Sequence, residues 1–504
     1  MRKFKLINIL PVAVLVLQAA AEVFTAVALL RLKMLPDLFV ILLLAVLALL
    51  LGITGGLMFL RGKKPVSATR KVIACILAVL FVLGCGLVTK LGTDAYHAIH
   101  TVTQPVATNT RNVYVFVRSD DPAQSLADAA GYTFGYIGDY DAEHTENAFL
   151  QLEEKLGASV TRTALETGTE LAAALLDGRV DAMVMNGVTV ALLLEQEGYE
   201  DFTEKVRALE TMALSTLAVS VPTEPTEPPA PEQNITNTPF CVYISGSDTR
   251  SGILDVSRSD VNILVVVNPK TKQILLLNTP RDYYVKNPAG NGALDKLTHC
   301  GLYGVECSMG ALEELYGIKI DYYGQINFTG FKTLVDAVGG ITVYSDEAFK
   351  ANKTYISVGE NTLDGSQALD FARERYRVSG GDRGRGNNQM KVIKAVIEKM
   401  TTGTTVISNY SSILASLEGM FSTSVTMGEI GMLVKMQLTD MSGWNIQTFA
   451  VSGAGGSEKT YSMPGTRAYV MFEDEDMTAY ATKLIEKVYA GEILKPEDMT
   501  YPQP

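Results

Sequence analysis

The chain has 504 residues, a formal net charge of −12, 47% hydrophobic residues and a mean hydropathy of +0.16. The acidic balance argues against nucleic acid as a partner, and against a transcription factor, because both require a basic face. The length suits about two or three domains, and the apolar content exceeds that of an ordinary soluble chain.

The apolar excess lies at the front. Residues 7–30, 35–60 and 72–91 each supply the ~20 residues that a helix needs to cross a bilayer. For the first run a cleaved signal peptide is the alternative, since Arg2, Lys3 and Lys5 precede an apolar stretch that reaches Ala19, Ala20 and Ala21. The second loop carries Arg61, Lys63, Lys64, Arg70 and Lys71, whereas the first has only Arg31 and Lys33 against Asp37. Cationic loops stay cytoplasmic, so a three-helix membrane region over 1–91 is expected to place everything after about residue 92 outside the cytoplasm. Glu22, within the first run, is expensive in lipid; it marks a helix contact or a functional site, or is a carboxyl tolerated near an interface, the commoner case.

Cysteine usage points to neither a disulfide framework nor a metal centre. Cys75 and Cys85 fall in the third run, and Cys241, Cys300 and Cys307 have no ligand-like spacing. Cys300 and Cys307 are expected on one helix, about 10 Å apart along its axis and too far for a disulfide.

Residues 111–221 alternate short β-like runs (113–117, 182–186) with amphipathic helical runs (147–156, 170–176), the pattern of an α/β domain. No convergent set of charged residues stands out there, which favours a spacer or partner-docking role over ligand binding. Residues 222–238 form a linker, Pro- and Glu-rich over 222–233 and expected to be extended.

The region 239–495 carries the chemistry. A strand over 240–245 leads to Asp248, a buried strand over 261–268 follows Arg258 and Asp260, and a third over 273–278 ends before Arg281 and Asp282. As an antiparallel meander these strands bring Asp248, Asp260 and Arg281 to one sheet edge. Two carboxylates beside an arginine suit a hard cation that shares a phosphate ligand, Mg2+ or Mn2+, while turn or capping roles are the plain alternative for each aspartate. Neither a zinc-ligating cluster nor a Ser-His pair is evident.

Residues 371–389 pack Arg373, Arg375, Arg377, Arg383 and Arg385 into a glycine-punctuated loop. Planar guanidinium forks suit phosphate oxygens better than lysines do. If 372–376 is extended, Arg373 and Arg375 share one face; a solvated basic loop is the alternative. Beyond residue 400, helices are expected over 411–421, 427–436 and 477–489 and a strand over 445–451, with the acidic run 472–476 at a helix start.

The motifs GSD, RSD, NPKT, TPRD, DKLTHCGLYG, FTGFKTLVDAVGG, LDGSQALDFARERY and GDRGRGNNQ occur in this order between residues 240 and 400. The chain thereby resembles the LytR-CpsA-Psr family, and its three spans and added domain resemble the capsule-associated CpsA branch. The resemblance implies an α/β sandwich around a polyprenyl site. It also implies a membrane-anchored phosphotransferase that moves a glycopolymer, capsular or teichoic-acid-like, from an undecaprenyl pyrophosphate carrier onto peptidoglycan. It assigns Asp248 and Asp260 to the metal. Arg281, Arg373, Arg375 and Arg385 take the catalytic handling of the diphosphate, and Lys296 and Gln389, with Arg258 nearby, its binding. Two departures stand out: Asn388 where many relatives carry arginine, and Cys300 where alanine is common. A pyrophosphatase or a noncatalytic lipid-binding protein is the rival reading. The strand 263–267 and the helix 331–338 are candidate walls for the lipid tail, and core packing explains them equally well.

Overall fold

The structure is a computed structural model that describes residues 2–31, 37–60, 66–102, 110–138, 142–215, 234–247, 258–402, 413, 417, 420–463 and 467–502. The proline-rich run 222–233 and Asp248 lie outside the described residues.

Three long helices lead: α1 (Arg2–Arg31), α2 (Asp37–Phe59) and α3 (Ala68–Val102). Their apolar stretches Leu10–Arg31, Asp37–Phe59 and Ala68–Asp94 are long enough to cross a membrane. Apolar side chains point outward all round, and the polar ones turn inward to meet each other. Gln18 Nε2 donates to Glu22 Oε1 (2.8 Å), Thr54 Oγ1 donates to Gln18 Oε1 (2.8 Å), and the Thr25 and Thr89 hydroxyls meet at 2.9 Å. Glu22 is therefore buried midway along the apolar stretch of α1, at a contact between α1 and α2, where Gln18 one turn earlier supplies its hydrogen-bond donor. Lys435 Nζ lies 2.7 Å from Asp37 Oδ1, a contact between the first residue of α2 and the C-terminal part of the chain.

The first of those units is a five-stranded sheet of order β3-β2-β4-β1-β5, with β1 (Thr110–Arg118), β2 (Thr133–Ile137), β3 (Thr161–Leu165), β4 (Ala182–Asn186) and β5 (Val206–Ser215). Strand alternation sends Val113, Val115 and Val117 of β1 to one face and Tyr114 and Phe116 to the other. Helix α4 (Ala142–Leu156) covers the valine face. Helices α5 (Gly168–Leu176), α6 (Gly187–Leu193) and α7 (Phe202–Lys205) cover the aromatic one.

The second unit is built on a six-stranded sheet of order β16 (Phe421–Thr423), β11 (Tyr322–Asn327), β6 (Phe240–Ser247), β7 (Ser259–Asn268), β8 (Gln273–Asn278) and β17 (Asn445–Ala450). Its centre is the expected meander, β6, β7 and β8, with both strand pairs antiparallel. After β9 (Tyr284–Asn287) and β10 (Ala293–Lys296) come α8 (Leu297–Cys300), α9 (Val305–Tyr316), β11 (Tyr322–Asn327) and α10 (Phe328–Ala337). The small strands β12 (Ile341–Ser345), β13 (Phe349–Ala351), β14 (Thr354–Ile356) and β15 (Gly359–Leu363) precede α11 (Gly365–Arg373) and α12 (Asp382–Thr401). The chain closes with β16 (Phe421–Thr423), α13 (Met427–Asp440), β17 (Asn445–Ala450), β18 (Gly453–Lys459), β19 (Arg467–Glu473) and α14 (Glu475–Ala490). Leu264 and Val266 of β7 pack toward α9 and α14, while Ile263, Val265 and Val267 pack toward α12 and α13. The unit is an α/β sandwich, with helices on both faces of a sheet of mixed orientation.

Several local expectations change. Val335 of α10 belongs to a separate cluster with the small strands, so α10 does not wall in residues 263–267. Phe421 is strand, paired through Ile326, where a helix was expected; much of 411–420 lies outside the described residues. Phe472 and Glu473 end β19, and the helix starts only after Asp474, whose carboxylate accepts from the Met477 amide at 3.0 Å. Cys300 and Cys307 do not share a helix. Gly304, at φ 110°, breaks the chain between them and folds α9 back, which brings the two thiols together.

Candidate functional site

The site begins at the end of the meander. Tyr243 reaches Ser259 and Asn262, at 2.7 Å each, and ties down the first turn of β7. The register of β6 and β7 shifts between Gly246 and Ser247. Gly246 lies so close to Val261 that an added Cβ would fall 2.7 Å from its Cγ2. Such a bulge re-aims neighbouring side chains at the end of a sheet.

Asp260 accepts from Arg281 Nη1 at 2.9 Å and from Thr298 Oγ1 at 3.3 Å. The expected convergence of Asp260 and Arg281 is present, and Asp248 lies outside the described residues. Arg281 also faces Asp282 (Nε to Oδ2, 3.6 Å), and Lys296 Nζ lies 3.5 Å from Asp282 Oδ1. Arg385 enters from the first turn of α12, where its guanidinium meets Asp382 at 2.5 Å. A glycine next to it makes this approach possible, since a Cβ on Gly386 would lie 2.4 Å from Asn278 Nδ2 at the end of β8. Asp382 is 29% exposed and the other charged side chains only 11–20%, so their fields are weakly screened.

The electrostatics bind these groups into one cluster. Burial favours the neutral acid at Asp260, but the charges of Arg281 and Arg258 outweigh it and hold the carboxyl below the usual carboxylate range. Burial lowers the Arg385 pKa; Asp382 opposes this, and the repulsion of Arg281 and Arg375 adds to it. Arg281 Nε is buried without a hydrogen-bond partner among the described residues, an unsatisfied donor inside the cluster.

The arginine loop differs from the extended expectation. A capping box of Asp364 and Gln367 starts α11, and its buried face of Ala368, Phe371 and Ala372 keeps the chain helical through Arg373. Arg373 lies over the Phe328 ring, 4.4 Å from its centroid, and Arg375 over Tyr376 at 4.6 Å. Among the described residues neither forms an ion pair with a carboxylate. Among the described residues no ion pair joins Arg373 to Asp260, which pairs instead with Arg281. Gln389 is buried one turn after Arg385 on α12. Asn388 turns away, its amide 3.5 Å from the Phe371 carbonyl. Cys300 is buried, with its Sγ 3.9 Å from the Lys296 carbonyl oxygen.

Arg258 reveals what sequence reasoning missed. Its Nη1 lies 2.6 Å from Oε1 of Glu195, a residue of the first α/β unit. His299 and Asp295, which flank Lys296 and Thr298, were also overlooked. The DKLTH run was the available signal for those two; nothing in the sequence pointed to Glu195.

The structure is thus an α/β sandwich with a buried arginine–aspartate cluster at one sheet edge. The LytR_cpsA_psr family model matches residues 210–483, more than half of the chain, and the chain belongs to that family. It is 38% identical over 194 residues to a polyisoprenyl-teichoic acid–peptidoglycan teichoic acid transferase, TagU, of Enterococcus faecalis; the match spans 38% of this chain and 63% of that relative. The TagU of Bacillus subtilis is 32% identical over 229 residues, 45% of this chain and 69% of that protein. The crystal structure of B. subtilis TagV superposes on 50% of this chain and 98% of its own, at 25% identity and a TM-score of 0.43.

Proposed function

We propose that this protein is a membrane-anchored phosphotransferase that moves a glycopolymer from a polyprenyl pyrophosphate carrier onto peptidoglycan, outside the cytoplasm. The observation that carries the reading is the buried cluster of Asp260, Arg281, Lys296 and Arg385 at one sheet edge, with Arg375 close enough to repel Arg385. Teichoic acid is the polymer in the relatives' names, and the three apolar helices resemble the capsule-associated branch; an anionic wall or capsular glycan carried on undecaprenyl pyrophosphate fits both.

The guanidiniums of Arg281, Arg375 and Arg385 bind and orient the diphosphate, and they stabilise the charge that grows on the departing phosphate. Arg373 and Lys296 extend the basic rim, and Gln389 adds a neutral amide that can donate to a phosphate oxygen. The acceptor hydroxyl, losing its proton, forms a new bond to the phosphorus that carries the glycopolymer as the anhydride bond breaks and polyprenyl phosphate leaves with the electron pair.

A divalent cation is part of the proposal; among the described residues no group of three or more His, Cys, Asp and Glu side chains gathers to hold one, and Asp260 is the described carboxylate that supports it. Asp260 is held ionised, and among the described residues both of its hydrogen bonds fall on Oδ1. Asp260 and Asp248 would hold Mg2+ or Mn2+, which when bound supplies Lewis-acid charge to the diphosphate oxygens.

The test is incubation of the full chain, in detergent or nanodiscs, with lipid-linked oligosaccharide and peptidoglycan oligomers, read by mass spectrometry. A covalent glycan–peptidoglycan product is expected. Free glycan phosphate alone would make the protein a pyrophosphatase, and bound but unchanged lipid would make it a noncatalytic binder.

A further inference from the structure

Helix α6 of the first α/β unit rests on the second. Val188 and Leu192, one turn apart, are buried against Leu302, with Tyr303 and Met463 beside them. The turn after α6 carries Glu195 across the same boundary. A carboxylate just past a helix C-terminus opposes the helix dipole, so its place has to be stabilised from outside. The second unit supplies that charge: Glu195 Oε1 lies 2.6 Å from Arg258 Nη1 and 3.7 Å from His299 Nε2.

His299 is fully buried between two acids. Its Nδ1 lies 2.7 Å from Asp295 Oδ1, and its Nε2 points toward Glu195 without a hydrogen-bond partner among the described residues. Ionised carboxylates only accept, so a ring that faces one on each side is satisfied only when both nitrogens carry protons. Asp295 is itself held by Asn287 (3.0 Å) and the Ser462 amide (3.2 Å), and its Oδ1 accepts the backbone N–H of Lys296 at 2.8 Å. The segment 296–299 thus carries Lys296 beside Asp282, Thr298 donating to Asp260, and His299 reaching for Glu195. Arg258 stands two residues before Asp260.

We propose that Glu195 is a positioning residue for the diphosphate site, supplied by the first α/β unit. Its carboxylate aims Arg258, and it completes the Glu195–His299–Asp295 chain that fixes the segment bearing Lys296 and Thr298. The first unit is then a working part of the site, not a spacer, and separating the units disorders the anion-binding edge. The charges agree with this arrangement. Burial opposes ionisation of Glu195, yet His299, Arg258 and Lys296 pull its pKa down to about 2. Burial likewise opposes charge on His299, and Asp295 and Glu195 outweigh it and raise its pKa.

The proposal rests on the diphosphate reading above, and its test separates the two. Full-length wild type, Glu195→Gln and Glu195→Asp are compared in nanodiscs, by kinetics with lipid-linked oligosaccharide from pH 5 to 9 and by calorimetric titration with inorganic pyrophosphate. We expect Glu195→Gln to raise KM and the pyrophosphate Kd about tenfold, the scale of one charge-assisted hydrogen bond, with a smaller change in kcat. The alkaline limb of kcat/KM moves to lower pH, because His299 has lost one of its two carboxylates, and Glu195→Asp recovers much of the loss. Unchanged Kd, KM and pH profile in Glu195→Gln would overturn the proposal, as would a wild type that binds no pyrophosphate. If wild type binds pyrophosphate more tightly than Glu195→Gln but transfers no glycan, positioning stands and the transferase reading fails.

Discussion

Replacing Arg281 by methionine keeps most of the side-chain volume and removes the charge that faces Asp260 at 2.9 Å and Asp282 at 3.6 Å. Both carboxylates are largely buried, and both lose a counter-ion in one step. Breaking a fully buried pair costs roughly 3–5 kcal/mol; discounting for the 16% and 20% exposure of Asp260 and Arg281, we expect about 2–4 kcal/mol. For a unit of this size each kcal/mol moves Tm by about 2–4 °C, so the fall is roughly 4–16 °C. The assay is built into the chain. Its single tryptophan, Trp444, lies in the second unit with its Nε1 donating to Gln437 Oε1 at 2.9 Å, so fluorescence melting reports that unit alone. The pH dependence gives a second signature. The depressed pKa of Asp260 contributes stability that is fully present above the unfolded value near 3.9 and lost as pH falls through the folded value. Wild type therefore loses this contribution below about pH 4, and Arg281→Met has less to lose there. A variant that melts within about 1 °C of wild type at pH 7, well inside the shift expected from the size relation, would refute the claim that Arg281 neutralises a buried acid pair.

Arg373→Lys and Arg375→Lys are each expected to lower turnover about ten- to a hundred-fold with Tm unchanged, because a point charge replaces a bidentate fork; near wild-type turnover in both would return the segment to a solvated basic loop. In calorimetry, Mg2+ is expected to bind the wild-type chain more tightly once a polyprenyl pyrophosphate analogue is present, and Asp260→Ala to lose that tightening. If Asp260→Ala keeps it, Asp260 serves only as the partner of Arg281. A reporter fused after residue 92 should be active outside the cell and one fused near Lys64 only inside; the reverse pattern would sink the extracytoplasmic reaction.

The parts of this protein that were legible in its sequence are those written in a local code. The continuous apolar runs of β6, β7 and β8, each bounded by polar residues, specify a meander, and the meander alone brings Asp260 to Arg281. Local patterns fail where tertiary partners decide. Phe421 is strand because β11 offers it an edge, and residue 373 is still helical because Phe371 and Ala372 have a core to enter. The pairing of Glu195 with Arg258 joins two folded units through a contact that no periodicity encodes. That contact also changes how the site's charge is read. Counted along the chain, the arginines look like a large positive excess. In the folded protein Arg258, Arg281, Lys296 and Arg385 face Glu195, Asp260, Asp282 and Asp382, so these cations are already matched. Arg373 and Arg375 instead lie over aromatic rings, without carboxylate ion pairs among the described residues. A diphosphate esterified at both ends keeps one ionised oxygen on each phosphate. The matched pairs set the geometry of the pocket, and the two arginines over aromatic rings supply the charge that an incoming diphosphate meets. Arg373 and Arg375 should therefore control affinity, while Arg281 controls both affinity and the stability of the fold around it.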